Sequence, residues 1–299
     1  MRIGIHLPSA EIGGTAAVIA DWTRAAEDTG FAFISSGEHV LGVDPTRNPE
    51  FAQQWVPDTK VQEAYTYRDE WHEPFVTMGF MAALTDLELS TSVLVSPLRR
   101  TAVLAKQAAQ VDIVSGGRLR LGIAAGWNKG EFANVGVDFE SRGKLCDEQI
   151  GLLRKFWTEP LVTFHGEFHN VEGAGIAPMP IQRPIPLWVG GFSKGAARRA
   201  GRLGDGWIAG SDPVEAGKVL PTVQHAAEAA GRDPAMLGIQ GMIDPARDGR
   251  GLARLAESLG DWRAVGATHV TIIVTGLGFH GVEHVALVAD LAKRVGLGA

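Results

Sequence analysis

The chain has 299 residues, 21% of them charged, with a net charge of −6, so no global basic field exists to attract nucleic acid. Its hydrophobic content of 45% suffices for a large core, yet no window holds the ~18 uninterrupted apolar residues of a membrane span. The single cysteine, Cys146, excludes an intramolecular disulfide framework and points to a reducing, cytoplasmic setting.

Short β-type runs alternate with helical patterns along the chain. The opening MRIGIHLPSA reads as a strand over Arg2–Leu7, without the basic and apolar regions of a signal peptide. A helix from Thr15 to Thr29 follows, with Gly30 as its stop. Strand two is Phe31–Ser35, a helix covers Glu73–Leu84, and strand three is Leu87–Val95. The helix Thr101–Val114 carries Val103, Leu104, Ala108 and Val111 at a 3.6-residue period. Strand four is Arg118–Ala124, and the helix Gly143–Trp157 places Cys146 beside Leu145, Ile150 and Leu153 as a buried structural thiol. Strand five is Ile185–Gly190, strand six Gly206–Ala209, strand seven Leu237–Ile243 and strand eight His269–Thr275. Helices over Lys194–Leu203, Val214–Ala230, Gly251–Val265 and His280–Val295 complete the alternation.

Eight strands alternating with helices predict parallel strands joined by right-handed crossovers, and hence an α/β fold of the (β/α)8 TIM-barrel type in one domain, 1–299. A doubly wound sheet opens with a glycine-rich phosphate turn, whereas strand one here ends in LPSAEIGG, which lacks GxGxxG. Two connections exceed ordinary loop length. Segment 36–73 contains Trp55, Tyr65, Tyr67 and Trp71; segment 158–186 is rich in Pro and Gly. Each reads as a packed excursion or as a lid over the C-terminal face, where strand-to-helix loops build active sites. The first follows a strand, which favours a lid. The second follows a helix, so it starts on the opposite face unless it folds across the top.

In a barrel the C-terminal strand ends face the site, and their residues here exclude several chemistries. Strand one offers only His6, too few ligands for a metal hydrolase of the barrel type. No lysine stands at a strand end for a Schiff base, and Glu38 is the one obvious carboxylate where a glycosidase needs two. Small residues and backbone remain, which suits a planar cofactor that performs redox chemistry itself. In VGGFSKGAARRAGRLGDGW, Gly190 and Gly191 end a strand and Phe192 and Ser193 lead into a helix. That turn reads either as a phosphate site, with Gly210 and Ser211 adding donors, or as a tight turn with solvated basic residues. His39 follows Glu38; the pair reads as an acid–base couple, or His39 as a structural histidine bonded to backbone. Trp127, between Gly126 and Asn128, either fills the core or faces a ligand.

Together these stretches resemble the luciferase-like monooxygenase superfamily, and within it the group that uses the deazaflavin coenzyme F420. The marks are SGEHV after strand two, STSVLVSPLRRTAVLAKQAAQVDIVSGGRLRLGIAAGWNKGEFANVGVDF across strands three and four, and AGRLGDGWIAGS near strand six. The resemblance implies a cofactor cleft at the strand C-terminal ends and a non-proline cis peptide at Ser92–Val93 behind the ring. It places Gly126, Trp127 and Asn128 beside the cofactor, with the phosphate near Gly190, Gly191, Phe192, Ser193, Gly210 and Ser211. His39, supported by Glu38, would transfer a proton while a hydride moves between F420 and a small organic substrate. The same fold implies a second reading, an FMN-dependent monooxygenase using O2 and a separate reductase. A third is a non-catalytic flavin-binding relative. A homodimer is implied in each. The family's sugar-phosphate dehydrogenases carry a glutamate where Trp127 stands, which sets this chain apart from glucose 6-phosphate dehydrogenases.

Overall fold

The computed structural model describes residues 1–54, 62–63, 65–247 and 251–297, so Trp55 lies outside the described residues. Eight parallel strands close on themselves: β1 Arg2–His6, β2 Phe33–Ser36, β3 Glu88–Thr91, β4 Leu119–Ala124, β5 Leu187–Gly190, β6 Gly206–Ile208, β7 Gly238–Ile243 and β8 His269–Ile272. Each pairs with its sequence neighbours, and β8 returns to β1 through the register Arg2↔His269 to Ile5↔Ile272. The fold is the expected (β/α)8 barrel. The predicted helices are present with ends shifted by a few residues: Lys194–Leu203 matches at both ends, and Gly251–Val265 is shortened to Leu255–Val265 behind a 3-10 turn. No helix among the described residues is long and apolar enough to cross a membrane.

Alternation along each strand builds two compartments. In β1 the side chains of Ile3 and Ile5 join the apolar layer between barrel and helices, whereas His6 turns inward. Four tryptophans, Trp22, Trp157, Trp207 and Trp262, are fully buried. The barrel interior is polar at its floor. There Arg120, 4% exposed, donates to Glu88 and Gln240 while its guanidinium lies 4.4 Å from the Trp188 ring and 5.0 Å from the Phe33 ring. These rings fit because Gly4, Gly206 and Gly238 lack a Cβ; at Gly206 one would meet Trp188 at 2.4 Å.

Strand three is where the barrel departs from regularity. Ser90 pairs with Arg120 and Leu94 with Ile123, so β3 and the short strand Leu94–Val95 advance four residues while β4 advances three. The extra residue makes a bulge at Ser92–Val93, and that peptide bond is cis, as the resemblance implies. Beside the bulge the Thr91 hydroxyl replaces the missing ladder bonds: it accepts from Gly122 N at 2.8 Å and donates to Gly122 O at 2.6 Å.

The two long connections differ. After β2 the chain carries Tyr65 and Trp71 back over His39. Segment 158–186 instead forms a hairpin, Val162–His165 with Asn170–Ala174, on the barrel's flank. Glu148, on the helix Arg142–Thr158, accepts from Glu167 N and Phe168 N and from His169, and Asp112 accepts from Ile181 N and Gln182 N. Among the described residues none of this segment lines the site below; it leaves a helix at the barrel's N-terminal side and is held along the flank by Glu148 and Asp112.

Replacing Thr91 with Val keeps shape but leaves both Gly122 groups without partners. Urea denaturation is expected to show a loss of about 2–4 kcal/mol, with a smaller loss for Thr91→Ser, which retains the hydroxyl.

Candidate active site

At the C-terminal face a cleft of about 480 Å³ opens over the bulge. One end is small and apolar. Val93 lies against Gly190, where a Cβ would meet Val93 Cγ1 at 2.6 Å, and Ala124, Ala125, Gly126, Trp127, Ile208 and Met242 complete the walls. The other end is formed by a helix start and by charged side chains. The helix Lys194–Leu203 starts in the cleft, capped by Ser193, whose Oγ accepts from Ala196 N at 3.1 Å. Gly191 and Gly210 precede and face that start with positive φ, and the Phe192 ring covers Gly210 so closely that a Cβ there would meet it at 1.8 Å.

Two arginines stand at this end. Arg142 donates to Gly126 O at 3.0 Å and Phe139 O at 2.7 Å, stacked 3.6 Å from the Phe139 centroid. Burial, with Arg199 nearby, holds its guanidinium below the ordinary arginine range. Arg199 donates to Asp147 and, at 2.8 Å, to Gly143 O. Glu140 lines the same end.

Of the predicted ligand residues, Ser92, Val93, Gly126, Trp127, Gly190, Gly191, Phe192, Ser193 and Gly210 are brought together in this cleft. Two are not among its lining residues. Asn128 is buried as the cap of the helix Lys129–Val135, accepting from Gly130 N at 3.1 Å, and Ser211 is exposed just past the cleft.

His39 lies one ring beyond the cleft. Its side chain, 10% exposed, packs 3.9 Å from the Tyr65 centroid, 4.8 Å from Trp71 and 5.9 Å from Trp127, which itself lines the cleft. Arg247 hydrogen-bonds Tyr65, whose hydroxyl is pushed up by burial with the arginine opposing. The expected support from Glu38 is corrected by the structure. Glu38 points the other way, to Arg99, at 2.8 Å from its Nε, and to Val95 N at 2.9 Å. Burial raises its carboxyl, and Arg99 opposes the rise. Neighbours on an extended segment face opposite sides, so two adjacent side chains do not meet.

The partner of His39 is Glu131, which is 1% exposed. Its Oε2 lies 3.0 Å from His39 Nδ1, and its Oε1 accepts from Val40 N at 2.8 Å. Sequence reasoning missed this residue together with its helix, Lys129–Val135. Asn128 followed three residues later by Glu131 is a helix-start signal that would have shown the helix, though not the glutamate's use. Arg142 was also missed as a residue of the cleft.

His6, at the end of β1, bonds Ser35 Oγ at 2.9 Å, and Ser35 in turn bonds Thr271 at 2.8 Å. Burial lowers its imidazole from 6.5 to about 4. The unfolded chain therefore takes up a proton below pH 6.5 that the folded chain refuses until about pH 4. Stability is expected to fall as pH drops through this window, by on the order of 3 kcal/mol for this one group. Unfolding free energies from pH 7 to 4 check this: the acid-side slope should be shallower in His6→Gln.

The model of the family described as luciferase-like monooxygenase matches residues 1–244. The chain is 31% identical over 180 residues to the FMNH(2)-dependent dimethylsulfone monooxygenase of Pseudomonas putida, 58% of this chain and 49% of that one. It is 36% identical over 171 residues to the F420-dependent glucose-6-phosphate dehydrogenase of Kineococcus radiotolerans, 54% of this chain and 50% of that one. The chain thus spans about half the length of these curated relatives. The solved structure of an F420-dependent secondary alcohol dehydrogenase in complex with an F420-acetone adduct superposes with a TM-score of 0.75 at 17% identity, covering 98% of each chain.

Proposed function

The chain belongs to the luciferase-like monooxygenase family, and we propose that it is an oxidoreductase using coenzyme F420 to exchange a hydride with a small organic substrate. The observation that carries this reading is the two-ended cleft: a flat apolar slot over the Ser92–Val93 bulge, continuous with a helix start flanked by Arg142 and Arg199. A conjugated ring with a phosphorylated side chain fits both ends, and the positive-φ glycines allow the phosphate to approach backbone amides. The bound deazaflavin would supply the hydride chemistry.

In this reading Val93 and Trp127 bound the ring, while Gly190, Gly191, Phe192, Ser193 and Gly210 hold the phosphate end. Ser92 and Gly126 complete the ring side. His39 serves as the acid–base group. With Nδ1 tied to Glu131, Nε2 is left to exchange a proton, and Tyr65 and Trp71 keep water from it. Glu131 takes the supporting part first expected of Glu38. The described part of segment 36–73 serves as the lid.

The similarity to a P. putida FMNH(2)-dependent enzyme favours a second reading, an FMN monooxygenase fed by a separate reductase, because the same cleft suits either ring. A non-catalytic flavin-binding protein would not need the buried His39–Glu131 pair. A cytoplasmic homodimer is part of the proposal; exposed Val76, Phe80 and Val103 on neighbouring helices are the surface that supports it.

Titration of the apo-protein with F420 and FMN, followed by ring fluorescence, tests the cofactor. Micromolar or tighter binding of F420 without FMN is the expected result, FMN alone would establish the second reading, and neither binding would overturn both. Once turnover is found, His39→Ala should lower it by about 10²–10⁴-fold while cofactor affinity stays within a few-fold. Glu131→Gln should also slow turnover in a folded protein. An amide that donates to Nδ1 places the imidazole proton on Nε2, the opposite tautomer.

A further inference from the structure

A line of polar side chains climbs the barrel interior from its floor to the cleft. Arg120 Nε donates to Glu88 Oε1 at 2.6 Å and Arg120 Nη1 to Gln240 Oε1 at 2.7 Å. Gln240 Nε2 then donates to Ser92 Oγ at 3.2 Å. Gln240 is fully buried.

Each link has a fixed direction. A guanidinium only donates, so the amide facing Arg120 must present its oxygen, and its nitrogen must then face Ser92. Ser92 Oγ is therefore an acceptor within the barrel. Among the described residues its proton meets no protein acceptor, and Ser92 lines the cleft at the cis bulge.

We propose that Arg120 and Gln240 are positioning residues that fix the Ser92 hydroxyl as a hydrogen-bond donor to an oxygen or nitrogen of the conjugated ring in the cleft. The proposal rests on the cofactor reading above and adds to it a direction, donor and not acceptor. It also gives a consequence. A reduced ring carries more negative charge on its heteroatoms than the oxidised ring, so a directed donor stabilises the reduced form more and raises the ring's midpoint potential.

Gln240→Glu turns the direction round. The carboxylate still accepts from Arg120, but it also accepts from Ser92, drawing the hydroxyl proton inward. Ser92→Ala removes the donor together with its bond from Gln240 and leaves Gln240 bonded to Arg120. With FMN and F420 as probes, each variant is expected to bind whichever cofactor the unchanged protein binds about tenfold more weakly. Each should also shift the bound ring's midpoint potential downward. The double variant should lose no more than either single one, because both remove the same bond. Thermal melting identifies folded variants; should Gln240→Glu not fold, Ser92→Ala alone decides whether the hydroxyl donates. Unchanged affinity and potential in the folded variants, or additive losses in the double variant, would overturn the relay while leaving the cofactor reading intact. Binding of neither probe by the unchanged protein overturns the cofactor reading and the relay with it.

Discussion

A single buried cation organises the lower half of the barrel. Arg120 enters from β4, is held by Glu88 of β3 and Gln240 of β7, and lies between the faces of Trp188 from β5 and Phe33 from β2. Five of the eight strands thus meet one guanidinium. A charge taken out of water costs several kcal/mol unless paired, and removing the partner of a buried pair costs about 3–5 kcal/mol. Strand register around the floor is therefore tied to this ion pair, since a one-residue slip would turn Glu88 or Gln240 out of the barrel. The rings that flank the cation plug the floor. The upper layer, made of Ala124, Gly190, Gly210 and the bulge, has nothing comparable to fill it, and that difference is what leaves a cleft.

Two glutamates near the mouth have opposite assignments. Glu38 is spent on Arg99, which also pairs with Glu73, the cap of the helix Pro74–Ala82, so this trio ties the start and end of segment 36–73 to the loop after strand three. Glu131 faces His39 and the backbone of Val40. One carboxylate fixes where the segment begins and ends, and the other fixes the imidazole within it.

Features that depend on neighbours in the chain were legible in the sequence. The glycines at 190, 191 and 210, the Ser193 helix start and the eight strands all follow from local backbone chemistry and periodicity. The partners of His39, Ser92 and Arg120 were not legible, because they lie 92, 148 and 120 residues away and are chosen by barrel closure. Sequence adjacency misassigned Glu38 to His39 for the same reason. The flank position of the 158–186 hairpin depends on Glu148 and Asp112, two carboxylates that pattern alone marks only as ordinary helix residues.

Glu131 touches both sides of the mouth: it stands four residues after Trp127, in the helix that follows β4, and it clamps His39 and Val40 from the loop after β2. The two loops are thus one inheritable unit. Exchanging segment 36–73 with that of a relative, to borrow its substrate range, would leave Glu131 facing a backbone shaped for another partner. Such a chimaera needs residues 127–131 to travel with the segment, whereas the flank hairpin, clamped elsewhere, can be exchanged by itself.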